Sequence, residues 1–131
     1  MPQFGWQSRT RLLTCDERLQ DVFNEVVKHF DCSVLVGHRG EEDQNECCRK
    51  GLSTKPWPTS RHNTNPSMAA DVAPFPIDWS DRERFAHFAG FVLGVAALKG
   101  IKMRWGGDWN VDRKSKDEKF FDSVHFEIIG D

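Results

Sequence analysis

The run Ala69-Ala70-Asp71-Val72-Ala73 constrains this chain more than any other stretch. Its small and β-branched residues predict a buried strand, yet an ionisable carboxylate sits at the centre. An ionised group among apolar side chains is costly unless it is paired or bound to a metal. Any fold open to this chain must therefore bring Asp71 a partner from elsewhere in the sequence.

Around that strand the periodicities predict a small mixed domain. Thr14-Cys15-Asp16-Glu17 has the form of a capping box, and Leu19, Val22, Phe23, Val26, Val27 and Phe30 follow at helical spacing. Together they predict an amphipathic helix over 15–30. "CSVLVG" (32–37) reads as a strand, and 41–50 as a short polar helix ending at Gly51. The stretch from there to Ser67 is dense in Pro, Ser, Thr and Asn. That composition predicts a long loop, of the kind that is functional or mobile inside a compact domain. A second capping box, Ser80-Asp81-Arg82-Glu83, precedes a strongly apolar helix marked by Phe85, Phe88, Ala89, Val92, Leu93 and Ala96, which stops at Gly100. "IKMRWG" (101–106) and "SVHFEII" (123–129) alternate as strands do. The order predicts an α+β fold, a small and mostly antiparallel sheet with helices packed on one side. With 131 residues and no repeat or linker, one domain over 1–131 is expected.

Charge and hydropathy exclude some classes of partner. Eighteen basic and twenty acidic residues leave a net charge of −2 with no basic helix face, which argues against a nucleic-acid partner. The most apolar stretch, 88–98, is far short of the ~20 residues that cross a bilayer. The N-terminus lacks the apolar core of a secretory signal. A cytoplasmic monomer with no membrane insertion is expected. The four cysteines have no zinc-ribbon spacing and two are adjacent; free, buried or half-buried thiols are expected.

The final strand offers Asp71 its partner. Alternation places Val124, Phe126 and Ile128 on one face, and His125 and Glu127 on the other. His62, Asp71 and His125 then make two imidazoles and a carboxylate, a set that holds catalytic zinc and leaves a fourth position for water. Such a water needs a general base. Asp122, three residues before His125, is the first candidate. Glu127 competes with it, or serves as a supporting carboxylate. Among the other histidines, His29 suits a helix C-terminus, His38 adjoins Arg39 at a strand end within reach of a substrate, and His87 suits a polar position on its helix. Trp105 and Trp109 are open between lining a groove and filling the core, and Asp108 between forming a turn and supporting the site.

Ser60-Arg61-His62, then Asp71, then Asp122-Ser123-Val124-His125 resembles the pattern S-x-H, D, D/E-x-x-H. That pattern belongs to zinc peptidases that cut bacterial cell-wall peptides. They include D-alanyl-D-alanine carboxypeptidases and dipeptidases, phage L-alanyl-D-glutamate endolysins, and the hedgehog signalling domain. The resemblance takes in "GHRG" around Arg39 and "GGDWN" (106–110), covers nearly the whole chain, and is nearest to the single-domain phage endolysins. It implies a hedgehog/D-Ala-D-Ala-peptidase-like fold, one Zn2+ and hydrolysis of a peptide bond in peptidoglycan. It further implies that His62, Asp71 and His125 are metal ligands, that Asp122 is the catalytic base and that Arg39 binds substrate. Ser60 and Glu127 are expected to support the ligands. One departure bears on geometry: eight residues separate His62 from Asp71 where the family commonly has six, and the usual glycine there is absent. Strand phase survives if the two extra residues bulge out of the loop before Ala69.

With no export signal expected, the resemblance favours an endolysin cutting the L-alanyl-D-glutamate bond. Such an enzyme waits in the host cytoplasm and reaches the wall through a separate pore-forming protein. The alternatives are a D-alanyl-D-alanine carboxypeptidase, a non-catalytic zinc-binding module of the same fold, and a metal-free structural protein.

Overall fold

The computed structural model describes residues 2–108, Val111 and 122–130. Chain order runs α1 (Trp6–Leu12), α2 (Glu17–Val26), β1 (Cys32–Val36), α3 (Glu41–Arg49), a 3-10 turn (Arg61–Asn63), β2 (Ala69–Pro74), α4 (Arg82–Leu98), β3 (Met103–Trp105) and β4 (His125–Ile128). The strands form one antiparallel sheet in the order β1-β2-β4-β3. The strand carrying Asp71 is therefore central, and every residue of β2 and β4 is buried. This is the expected α+β arrangement.

Helices α2 and α4 pack on each other and on the sheet. Leu19, Val22, Phe23 and Val26 meet Phe85, Phe88, Ala89, Val92 and Ala96 in the core. Phe126 of β4 joins them, edge-on to Phe23 at 5.5 Å and to Phe88 at 6.0 Å between ring centroids. Because side chains alternate along a strand, the burial of Phe126 among these rings turns His125 to the opposite face. Core packing on one side of the sheet thus aims His125 to the other.

Helix α1 was not expected, since its residues show no apolar period. It forms along the free edge of β1, where unpaired backbone groups need partners. The Ser8 hydroxyl accepts from Val34 N at 3.0 Å, and Arg11 donates to Val34 O at 3.1 Å. Tertiary hydrogen bonds, rather than periodicity, make this helix.

The last two strands are shorter than expected, and the helix boundaries shift. Asp16, not Thr14, caps α2, accepting from Arg18 N at 2.9 Å. Thr14 is occupied elsewhere: its hydroxyl donates to Arg11 O at 2.6 Å and accepts from His38 N at 2.8 Å. Likewise Asp81 caps α4 through Arg84 N at 3.1 Å, while Ser80 donates to Asp78 at 2.6 Å. Helix α2 ends at Val26 rather than at residue 30, where the chain turns toward β1. All four cysteines are free. Burial pushes the Cys15 thiol up to about 11 and the Cys32 thiol up to about 12, which leaves both protonated and unreactive.

Candidate metal centre

Strand register delivers the first two members of the site, because Asp71 pairs directly opposite His125. The third, His62, comes from the 3-10 turn. Ser60 caps that turn, its hydroxyl accepting from His62 N at 3.2 Å, and Asn63 Oδ1 accepts from Ser60 N at 3.0 Å. Arg39 N then donates to His62 O at 2.8 Å and docks the turn beside the end of β1. Between His62 and Asp71 the chain is anchored just before Ala69. There Ser67 N donates to Thr14 O at 2.9 Å and Asp16 N to Ser67 O at 2.8 Å, drawing the loop toward the start of α2.

The donor atoms of His62, Asp71 and His125 lie within 4.8 Å of one another, and all three residues are buried. His62 Nε2 is 3.0 Å from Asp71 Oδ1, and His125 Nδ1 is 3.4 Å from the same oxygen. Tetrahedral zinc with bonds near 2.0–2.1 Å separates neighbouring donors by about 3.3 Å. The cluster therefore has the size, as well as the chemistry, of a metal site.

Each imidazole is held by its other nitrogen. His62 Nδ1 meets Gly37 O at 2.8 Å, and His125 Nε2 meets Glu127 Oε1 at 2.7 Å. Such contacts select the tautomer and fix the ring plane of a metal-ligating histidine. Glu127 is itself clamped, with Arg104 Nη2 at 2.7 Å and Arg61 Nε at 3.7 Å from its Oε2. Arg61 also donates to Ile128 O at 2.7 Å and Gly130 O at 2.9 Å, tying the turn of His62 to the strand of His125.

Electrostatics follow the geometry. Burial opposes charge on Asp71, but His62 and His125 overcome it and hold the carboxyl well below the usual range. Burial alone would depress His125, yet hydrogen bonds to Asp71 and Glu127 push it up to about 9. Glu127 is also buried, but His125 and Arg104 bring it down to about 2. Asp71 is thus ionised and partnered, which resolves the anomaly of its strand.

Asp122 lies just before β4 and lines the same cleft as the cluster. Its N donates to Gly106 O at 2.9 Å, and its O accepts from His125 N at 3.3 Å. Burial, then the nearby charge of Asp71, raises its carboxyl above the ordinary value. A Cβ at residue 106 would strike the Asp122 backbone, so glycine is what permits this approach. Gly37 is equally restricted, because a Cβ there would strike Arg11 O and Thr14 Oγ1. It carries the carbonyl that holds His62.

Arg39 also reaches the cleft, with Nη2 3.5 Å from Asp71 Oδ2 and Nη1 donating to Gln44 Oε1 at 3.1 Å. The cleft encloses about 540 Å³, within the usual range for ligand sites. Gln44 is a residue that periodicity missed. It is fully buried, and its Oε1 also accepts from Asn63 Nδ2 at 3.0 Å. Its Nε2 donates to Ser53 Oγ at 3.0 Å and Lys55 O at 2.6 Å. Arg104 was missed as well, although alternation along β3 sets it apart from Met103 and Trp105, and the register pairs it with Glu127. The remaining histidines stay outside: His29 pairs with Glu25 at 2.8 Å, His87 packs near Phe30, and His38 is exposed. Trp105 is buried and donates to Ser123 O at 2.8 Å, bracing the entry to β4. Asp108 is buried too. Trp109 and Asn110 lie outside the described residues.

Comparison with known proteins places this geometry in context. A family model described as phage L-alanyl-D-glutamate peptidase matches residues 2–129. The L-alanyl-D-glutamate peptidase of Escherichia phage T5 is 29% identical over 136 residues, covering 97% of this chain and 98% of the relative. Among solved structures, the L-Ala D-Glu endopeptidase ChiX of Serratia marcescens is similar with a TM-score of 0.75 and 26% identity, over 96% of this chain and 90% of that one.

Proposed function

The chain belongs to the phage L-alanyl-D-glutamate peptidase family, and from that premise we propose that it hydrolyses the L-alanyl-D-glutamate bond of the peptidoglycan stem peptide, using zinc held by His62, Asp71 and His125. The observation that carries the zinc assignment is the buried cluster itself, with each imidazole oriented by a second partner. Among the described residues no other group of histidine, cysteine and carboxylate side chains has this arrangement.

Zinc bound there supplies Lewis acidity, lowering the pKa of a water toward ~7 and polarising a carbonyl. The chain's own residues do the rest. The Asp122 carboxylate takes a proton from the attacking water and returns it to the departing α-amine of D-glutamate. A carboxyl raised by burial suits both steps, because it holds the proton more readily than an exposed aspartate. Glu127 does not suit that role, being engaged by His125 and Arg104. It keeps His125 oriented, as Gly37 O does for His62. Arg39, braced by Gln44, offers guanidinium donors to a substrate carbonyl or carboxylate. Ser60 fixes the turn that presents His62.

We further propose that residues 1–131 act as a single-domain monomer, released to the cell wall from the host cytoplasm through a separate pore-forming protein. Among the described residues no helix is long and apolar enough to cross a membrane. Digestion of purified peptidoglycan, read by mass spectrometry, tests the activity. Fragments with a new N-terminal D-glutamate, and L-alanine left on the glycan, are expected. Free D-alanine as the main product would overturn the assignment in favour of a carboxypeptidase.

A further inference from the structure

Trp79 is a large apolar side chain that remains 61% exposed, yet it is built into place. Its ring stacks on Phe85 of α4, with centroids 5.6 Å apart and planes inclined by 19°. Arg84 pins the preceding segment by donating to Phe75 O at 2.9 Å and Pro76 O at 2.5 Å. The Asp78–Ser80 turn, closed at 2.6 Å, brackets the tryptophan itself. With this support the indole lines the cleft that contains His62, Asp71, Asp122 and His125. An exposed aromatic ring held in one orientation at such a cleft is a preformed platform for a ligand.

Which part of the substrate it meets follows from chemistry and charge, given the activity proposed above. On the acyl side of the scissile bond stands one residue, L-alanine, whose amine is acylated by the lactyl arm of N-acetylmuramic acid. One residue spans at most ~3.6 Å, so the sugar ring sits beside the cleft whenever the bond is engaged. On the amine side stand the D-glutamate carboxylate and the charged remainder of the stem. The cleft cations Arg39, Lys55 and Arg61 come from the chain after β1, the loop after α3 and the 3-10 turn. The segment carrying Trp79 contributes none to the lining, and its immediate neighbour is Asp78. The lining cations are the partners that suit the charged glutamyl side, which leaves the uncharged indole to the neutral sugar, whose C–H face packs on an aromatic surface. We propose that Trp79 is a saccharide platform for the N-acetylmuramoyl ring that bears the L-alanine.

The test compares two soluble substrates with the same stem peptide, one N-acetylmuramoylated and one simply N-acetylated, using the zinc-loaded full chain. In the unaltered protein kcat/KM should favour the muramoyl substrate by about tenfold, within reach of one aromatic contact, and chiefly through KM. Trp79→Ala should bring the ratio near one, and Trp79→Phe should restore much of it. Each ratio is taken within one variant, so loss of active protein cancels. A ratio near one in the unaltered protein, or one that Trp79→Ala leaves unchanged, overturns the platform. Failure to cut either substrate would instead overturn the peptidase activity on which it rests.

Discussion

Asp71 and His125 were legible as a pair because strand alternation and burial act on single residues. A carboxylate in an apolar strand demanded a partner, and the last strand presented a histidine on a polar face. Gln44 and Arg104 were not legible, because their roles exist only once α3 meets the 52–55 loop and β3 meets β4. Two substitutions separate holding the metal from using it. Glu127→Gln should keep the fold but weaken zinc affinity by about 10–100-fold, as removal of a ligand's outer partner typically does; competition with a chromophoric chelator measures it. Asp122→Asn should retain zinc and lose roughly 10²–10⁴-fold in kcat. In the proposed role Asp122 works deprotonated, and its carboxyl is raised. Activity should therefore fall with decreasing pH through a value above ~3.9, the ordinary aspartate pKa. A kcat/KM profile, with zinc occupancy followed in parallel, checks the direction; an acid limb at or below the ordinary value would remove Asp122 from this role.

At the scale of elements, the amphipathic period of α2 and the apolar run of α4 predicted real helices, because both faces are made by local spacing. Their starts were misplaced by one or two residues. Thr14 and Ser80 have the right chemistry for a cap, but other partners claim their hydroxyls. Helix α1 was invisible for the related reason that the edge of β1, not its own sequence period, supports it. Phe126 packs β4 against α2 and α4. Phe126→Ala should cost about 3–5 kcal/mol in urea unfolding, the usual range for emptying a core phenylalanine site. It should also loosen zinc binding, since Phe126 and His125 face opposite ways on one strand. A stability loss with unchanged zinc affinity would show that His125 is positioned without that packing.

For the molecule as a whole, the site joins a turn, two strands and their arginine clamps, so metal, protons and stability are linked. In the metal-free protein His125 is raised to about 9 by Asp71 and Glu127. Its protonated form therefore contributes stability below ~6.5, the unfolded value, and that contribution fades as pH rises through about 9. Glu127 is depressed to about 2, so its contribution is present above ~4.3 and lost as pH falls through about 2. The Tm of the metal-free protein should accordingly decline from neutral toward pH 9. Zinc requires His125 Nδ1 unprotonated, so its stabilisation should grow over the same interval. Thermal melts with and without zinc across that range read both trends. The central claim is that His62, Asp71 and His125 together form the metal centre, and zinc content per chain after equilibrium dialysis tests it most directly. One zinc per chain is predicted for the unaltered protein and little for His125→Ala. Near-stoichiometric zinc in His125→Ala would contradict it.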